Sequence, residues 1–367
     1  MVLAIGTYDS TGGLKTVTDG YLQGLAALEP RMHWLLLGAS PLPGRNPSSS
    51  ISYLRLSDAW NYYVDPSRVE TSVKDAISSL VDQKKVNAIF QPLQFTFAPY
   101  FEHLRLPSLK SVHLVTAELL QSAERQPYAS HSYVRGSLGA DQVRLKHEKR
   151  FIEDGGFFLL NSRKTQVDVS KHYDRTLWRA ELCSSPGAAT PFFDLCPPDY
   201  ERRALFFGRF NHQKGIPLLL RSVPSSWELR CMGYGKWTSE DFAPYGIQVE
   251  SWKEGGALLS RLKEATFCLF PSHYEPWGLS LTEALAAGRI CVAQKGAGGH
   301  EEQLMDGENG FLIDFASGNF WEFLEELHGR GPDYLSRVSQ AARASARPWT
   351  RHLEEIMPFL EDFCARH

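Results

Sequence analysis

The sequence predicts a doubly wound α/β fold in two domains. Three observations predict it. The chain is 367 residues long, which at roughly 100–200 residues per domain suggests two domains. Short apolar runs without alternation recur along its length, the pattern of strands buried on both faces of a parallel sheet. Amphipathic helical stretches separate those runs, and regular strand–helix alternation builds parallel sheets.

In the first half, strands are expected at Val2–Ile5, His33–Leu37, Ile51–Leu56, Val86–Gln91, Val112–Thr116 and Phe157–Leu160. Helical patterns such as Thr16–Leu28 and Val69–Lys84 lie between them. The second half repeats the scheme, with strands at Ala204–Phe207, Trp227–Met232, Ile247–Glu250, Thr266–Phe270, Ile290–Ala293 and Phe311–Ile313. Its helices include Ala257–Glu264 and Ser280–Ala287. Cys183–Glu201 is rich in turn residues and poor in periodicity, so it reads as the domain boundary. The expectation is two Rossmann-like domains, 1–185 and 186–345, facing a cleft, followed by a segment 346–367. That last segment contains an amphipathic helix, Trp349–Phe363.

Composition removes several classes. Net charge is −3, with 39 basic and 42 acidic residues, so nothing points to nucleic acid. The apolar and charged fractions, 43% and 22%, are those of an ordinary soluble protein. Six cysteines form no CxxC pair and no His/Cys grouping with zinc spacing. Cys231, Cys268 and Cys291 sit in apolar runs and read as buried small hydrophobes in a reducing compartment. The start, Met1–Gly6, reads as a first strand rather than a signal peptide. No stretch approaches ~18 apolar residues, so no transmembrane helix is expected.

The densest chemistry lies in Phe270–Gly288, where Glu275 and Glu283 flank a Pro276–Gly278 turn and a helix start. Ser280-Leu-Thr-Glu283 has the form of a capping box. The alternative is that Glu283 accepts hydrogen bonds from the paired hydroxyls of a ribose, while the helix start offers N–H groups to phosphate. Glu275 follows a predicted strand, at the end of a parallel sheet where such folds bind ligands. Pro276 fixes the turn and Gly278 lets backbone approach a ligand closely. Upstream, Phe207–Gly215 follows another strand. Arg209 can grip a phosphate bidentately and Lys214 adds a point charge, between Gly208 and Gly215. The loop is not a Walker A sequence, and a plain basic surface loop is the competing reading.

Together these elements resemble the retaining GT-B glycosyltransferases of family 4. Gly208-Arg209 with Lys214-Gly215 looks like the family's pyrophosphate loop, and Gly233-Tyr-Gly235 like its G-x-G turn. Pro271 through Gly288 looks like the E-x7-E signature. Gly296–Glu302, then Asp306–Leu312, looks like the segment closing the donor domain. The resemblance implies that Arg209 and Lys214 neutralise a donor pyrophosphate and that Glu275 holds sugar hydroxyls. It also implies that the amides of Gly278, Leu279 and Ser280 contact sugar or phosphate and that Glu283 binds ribose. The implied chemistry is front-side displacement with the leaving phosphate taking the acceptor proton, needing no metal and no cofactor. Ser10–Leu14, with Gly12 and Gly13, resembles the N-terminal glycine loop near the donor phosphate, with a plain turn as the alternative. The stretch before Phe157 is similar to lipopolysaccharide-core glucosyltransferases of the WaaG kind. His113 and Glu118 are candidates for facing the sugar, with structural roles as the alternative. Trp252 and Lys253 fall near the nucleotide base by chain order, although Trp252 reads more readily as core.

The implied activity is transfer of a hexose from a nucleoside-diphosphate sugar, UDP-linked such as UDP-glucose, to a hydroxyl of a glycan or lipid-linked glycan. The expected location is cytoplasmic. The basic Val134–Phe151 segment is a candidate peripheral contact with the inner membrane face, against the plain alternative of a solvated helix face. The rival readings are an inactive sugar-nucleotide-binding scaffold and a dinucleotide-dependent oxidoreductase. The last lacks its G-x-G-x-x-G sequence in either half.

Overall fold

The computed structural model describes residues 2–4, 17, 19–21, 34–38, 51–55, 71–83, 85–91, 102–129, 132–176, 178–235, 237–252 and 256–366. The chain divides into two compact units. One comprises Met1–Thr116, Gln142–Pro186 and Trp349–His367; the other comprises Ala117–Asp141 and Gly187–Pro348.

The first unit holds a seven-stranded parallel sheet in the order β3-β2-β1-β4-β5-β6-β7. Its strands are β1 (Val2–Ala4), β2 (Trp34–Gly38), β3 (Ile51–Arg55), β4 (Ile89–Gln91), β5 (Ser108–Val112), β6 (Phe157–Leu160) and β7 (Arg179–Cys183). Along the chain between them run α1 (Thr71–Gln83), α2 (Thr116–Glu124), α3 (Ser132–Glu153) and α4 (Arg163–His172), of which residues 117–141 belong to the second unit. Two expectations need correcting here. The strand expected at Val112–Thr116 ends at Val112, and a helix begins at Thr116. The strand that does form, Ser108–Val112, hides Lys110 in its middle. The Lys110 ammonium donates to the carbonyls of Phe151 and Gly155 at 3.0 Å and lies 4.8 Å from the Phe151 ring centre. A buried charge is tolerated when paired in this way. The second correction is β7, a strand not expected from the sequence, which ends at Cys183 where the turn-rich boundary begins. As the edge strand it alternates polar and apolar residues, Arg179-Ala-Glu-Leu-Cys, and so lacks the continuous apolar run of its inner neighbours.

The second unit holds a six-stranded parallel sheet, β10-β9-β8-β11-β12-β13. These strands are β8 (Arg203–Phe210), β9 (Glu228–Gly235), β10 (Gln248–Ser251), β11 (Phe267–Phe270), β12 (Ile290–Gln294) and β13 (Phe311–Ile313). Helices α5 (Gly256–Glu264), α6 (Leu279–Ala286), α7 (Phe320–Gly329) and α8 (Pro332–Ser345) cover it. Alternate strand residues feed two cores. Phe206, Leu229 and Phe267 pack with Trp321 and Leu324 on one face; Leu205, Met232 and Cys268 pack with Leu262 and Leu285 on the other. Two apolar faces per strand explain the unbroken apolar runs. Cys231, Cys268 and Cys291 are buried and make no disulfide.

The chain leaves the second unit at Pro348 and ends in α9 (Trp349–Arg366), which belongs to the first unit. Its buried face, Trp349, Leu353, Ile356, Leu360 and Phe363, recurs at helical spacing. Trp349 packs where a Cβ at Gly20 would stand, and His352 bonds the hydroxyls of Tyr21 (3.1 Å) and Ser184 (2.9 Å).

Candidate active site

The order of the second sheet reverses between β8 and β11. In open α/β sheets, ligands bind at the carboxyl ends of the strands flanking such a switch point. The Arg209–Lys214 loop follows one of these strands and the Glu275 loop follows the other.

β8 extends past the expected end at Phe207 because it pairs with β9 through all its 8 residues, to Phe210 opposite Gly235. Gly208 and Arg209 therefore lie on the strand, and the turn starts at Asn211. The close approach requires Gly233, where a Cβ would strike the Gly208 carbonyl. Arg209 is exposed there. In the turn, the Asn211 side chain accepts from the Lys214 N–H at 3.1 Å. Gly215 follows with φ 66°, and a Cβ on it would collide with the Pro271 carbonyl. That crossing sets the Lys214 loop directly against the Glu275 loop. His273 N–H donates to Gln213 O (3.1 Å), Gln213 Nε2 donates to Tyr274 O (3.0 Å), and Lys214 Nζ donates to Glu275 Oε2.

Glu275 is 7% exposed and held at its backbone too. Its N–H donates to Ala297 O (2.8 Å), and its carbonyl accepts from Gly299 N–H (2.6 Å). Burial works to raise its carboxyl, but Lys214, His300 and Arg209 hold it below the ordinary value. It is an ionised carboxylate in a fixed place.

Glu283 differs. The capping box does not form: α6 begins after Gly278, which makes no side-chain cap, and Ser280 lies inside the helix. Gly278 takes φ 94°, where glycine is favoured, and a Cβ on it would come within 3.0 Å of both Glu275 Cγ and the His300 ring. Glu283 is 6% exposed. Burial pushes its pKa up to about 8, with Lys214 pulling the other way. Among the described residues it makes no side-chain hydrogen bond or ion pair. The N–H groups of Gly278, Leu279 and Ser280 likewise donate to no protein acceptor there, as expected of a helix start.

The structure thus brings together Gly208, Arg209, Lys214, Glu275, Gly278, Leu279, Ser280 and Glu283. Gly12, Gly13 and Lys253 lie outside the described residues. His113 follows β5 in the first unit, and its carbonyl accepts from Asn161 Nδ2 at 3.3 Å. Glu118 is buried in the first turn of α2, 3.5 Å from Arg125 Nη2. Trp252 packs against the core and touches Tyr234 edge-on, which is the core role. Among the described residues no group of three or more His, Cys, Asp or Glu side chains could hold a metal ion.

Sequence reasoning assigned nothing to His300 or to His273. His300 is fully buried against Phe270 and Gly278, with its pKa pulled down to about 4 chiefly by burial. A histidine within a glycine-rich turn beside the signature was the available signal.

Solved structures share this architecture end to end. Sucrose-phosphate synthase from Thermosynechococcus elongatus aligns over 100% of this chain and 99% of its own, with a TM-score of 0.74 and 16% identity. Anabaena HepE in complex with UDP-glucose aligns over 98% and 99%, with a TM-score of 0.67 and 14% identity. The chain has the GT-B fold. WaaG, a glycosyltransferase involved in lipopolysaccharide biosynthesis, shares it over 98% of each chain at a TM-score of 0.65 and 15% identity. Within this GT-B chain, residues 192–327 match the family model described as Glycosyl transferases group 1. An uncharacterized glycosyltransferase of Methanocaldococcus jannaschii is 33% identical over 128 residues, 31% of this chain. The match spans about a third of that relative's length, 32%.

Proposed function

We propose that this chain is a metal-independent retaining glycosyltransferase of family 4 that moves a hexose from a nucleoside-diphosphate sugar to a hydroxyl of a glycan or lipid-linked glycan. The observation that carries the reading is the pairing, at the sheet's switch point, of an engaged carboxylate and a vacant one. Glu275 is ionised against Lys214, while the buried Glu283 carboxylate feels Lys214 only at a distance and, among the described residues, accepts no hydrogen bond. Free amides of the α6 start lie between them. A sugar, a pyrophosphate and a ribose need that sequence of groups. HepE was solved with UDP-glucose, which favours a UDP-hexose as donor here.

In this reading Glu275 orients sugar hydroxyls. Arg209 and Lys214 stabilise charge on the departing diphosphate, the dominant contribution when no protein nucleophile is used. The C1–O bond to phosphate breaks as the acceptor oxygen attacks from the same face, and the leaving phosphate oxygen takes the acceptor proton. Gly12 and Gly13 approach the phosphate, and Glu118 and His113 face the sugar. The segment 1–185 binds the acceptor, 186–345 binds the donor, and 346–367 completes the first. The reading includes a role in polysaccharide or lipopolysaccharide assembly on the cytoplasmic side; the shared fold of WaaG, a glycosyltransferase involved in lipopolysaccharide biosynthesis, supports the first part. Among the described residues no helix is long and apolar enough to cross a membrane. Helix α3 presents exposed Val143, Lys146, Lys149 and Arg150, suited to peripheral contact with anionic lipid.

The test is to incubate the protein with UDP-, GDP- and ADP-sugars and a panel of glycan acceptors, following free nucleoside diphosphate and the anomeric configuration of the product. Turnover with retention is the expected result. Inversion defeats the mechanism. Nucleotide binding without turnover leaves the scaffold reading standing instead.

A further inference from the structure

Behind the Lys214–Glu275 pair lies a second, buried polar chain. The Tyr128 hydroxyl and His273 Nδ1 share a 3.0 Å hydrogen bond. The His273 ring stacks on His212, with centroids 5.8 Å apart and planes at 28°. His212 Nε2 lies 3.3 Å from Asp141 Oδ2. His212, His273 and Asp141 are 3%, 5% and 5% exposed. Tyr128 and Asp141 come from the 117–141 segment that joins the second unit, far from the signature in sequence.

The two histidines sit at informative places. His212 opens the turn that ends in Lys214, and His273 is two residues before Glu275. His273 N–H also donates to Gln213 O, so the rings stack where the two loops are already tied. Burial, with His212 nearby, drives the His273 pKa down to about 3. The ring is therefore neutral at physiological pH and its tie to Tyr128 does not titrate there. Burying imidazoles and a carboxylate carries a desolvation cost that an apolar filling avoids. What the Tyr128–His273 hydrogen bond, the stacked rings and the close Asp141–His212 contact supply instead is one fixed packing geometry.

Resting on the function proposed above, we infer that Tyr128 and Asp141 are positioning residues for the donor site. Through His273 and His212 they fix the spacing of Glu275 and Lys214, and so the placement of the sugar against its leaving group. Neither needs to touch the donor. Displacement of a reacting group by about 1 Å is enough to slow an enzyme about 100-fold.

The experiment uses Tyr128→Phe, which removes one hydroxyl, and Asp141→Asn, which removes a charge at constant size. Amide exchange is read in the full chain without ligand, alongside kcat, KM and nucleoside-diphosphate affinity. Faster exchange confined to residues 211–215 and 272–275 is expected. It is expected with a kcat lowered about 10-fold, a smaller loss of nucleoside-diphosphate affinity through Lys214, and a cooperative transition showing that the chain remains folded. Unaltered exchange in both loops overturns the inference. So does looser exchange with wild-type kcat, or a loss confined to affinity. If the wild-type chain turns over no donor, the proposed function fails, while the exchange data still decide whether this chain of residues holds the loops.

Discussion

Glu275 and Glu283 lie eight residues apart in one loop-and-helix unit, both more than nine-tenths buried, yet they hold their protons in opposite ways. Glu275 has a lysine on its oxygen, backbone ties at both its N–H and its carbonyl, and positive charge around it; it stays ionised. Glu283 has none of these ties and holds a proton up to about pH 8. The comparison separates a group finished by folding from a group finished by a ligand. The same desolvation acts on both, and the difference is made by partners.

The sharpest way to break the comparison is to remove the finished partner. Lys214→Ala and Glu275→Ala are each expected to cut turnover about 100-fold or more, measured as released nucleoside diphosphate. Lys214→Ala is also expected to lower Tm, since it strands a buried carboxylate, whereas near-normal rates would remove both residues from the mechanism. Next in size, Glu283→Ala should weaken nucleoside-diphosphate binding about 10- to 100-fold in titration calorimetry, the range for hydrogen bonds to a charged group.

A subtler effect is the proton. Ribose hydroxyls donate best to an ionised carboxylate, so binding at pH 7 should expel the Glu283 proton and tighten as pH rises toward 8. Calorimetry in buffers of different ionisation enthalpy reads that proton, and Glu283→Gln should abolish it.

The smallest effect is on stability. The folded pKa of Glu283 lies above its ordinary value, so its contribution is full below about pH 4.5 and is lost as pH rises through about 8. Glu275, lowered on folding, does the reverse: its contribution is present above the ordinary carboxyl pKa and is lost on acidification. Denaturant titrations should therefore show Glu283→Gln flattening the neutral side of the stability profile, while Glu275→Gln flattens the acid side.

Much of this was legible in the sequence. Parallel strands buried on both faces gave continuous apolar runs, and the motif residues Arg209, Lys214, Glu275 and Glu283 converge where strand order places them. What escaped had local physical reasons. Lys110 broke the run that would have marked β5, because a buried lysine paired to carbonyls reads as surface. The edge strand β7 alternates polar and apolar residues and so gave no apolar run to mark it. The capping box at Ser280 was a correct pattern displaced by Gly278, whose positive φ starts the helix two residues early. Tyr128 and Asp141 were invisible because Tyr128 meets His273 across 145 residues of chain, a distance no local pattern spans.

The last helix carries a consequence for how the protein is made. Trp349, His352 and Phe363 fill the first unit against Tyr21, Ser184 and Phe157. Synthesis runs from the N-terminus, so the first unit is the last to be completed. Its sheet emerges early but must wait, with Tyr21 and Gly20 unclad, until the whole second unit has left the ribosome. The strands and helices of the second unit all precede α9, and that unit is free to fold while translation continues. A chain cut short before Trp349 would therefore keep every strand and helix of the second unit while leaving the Tyr21 face of the first uncovered.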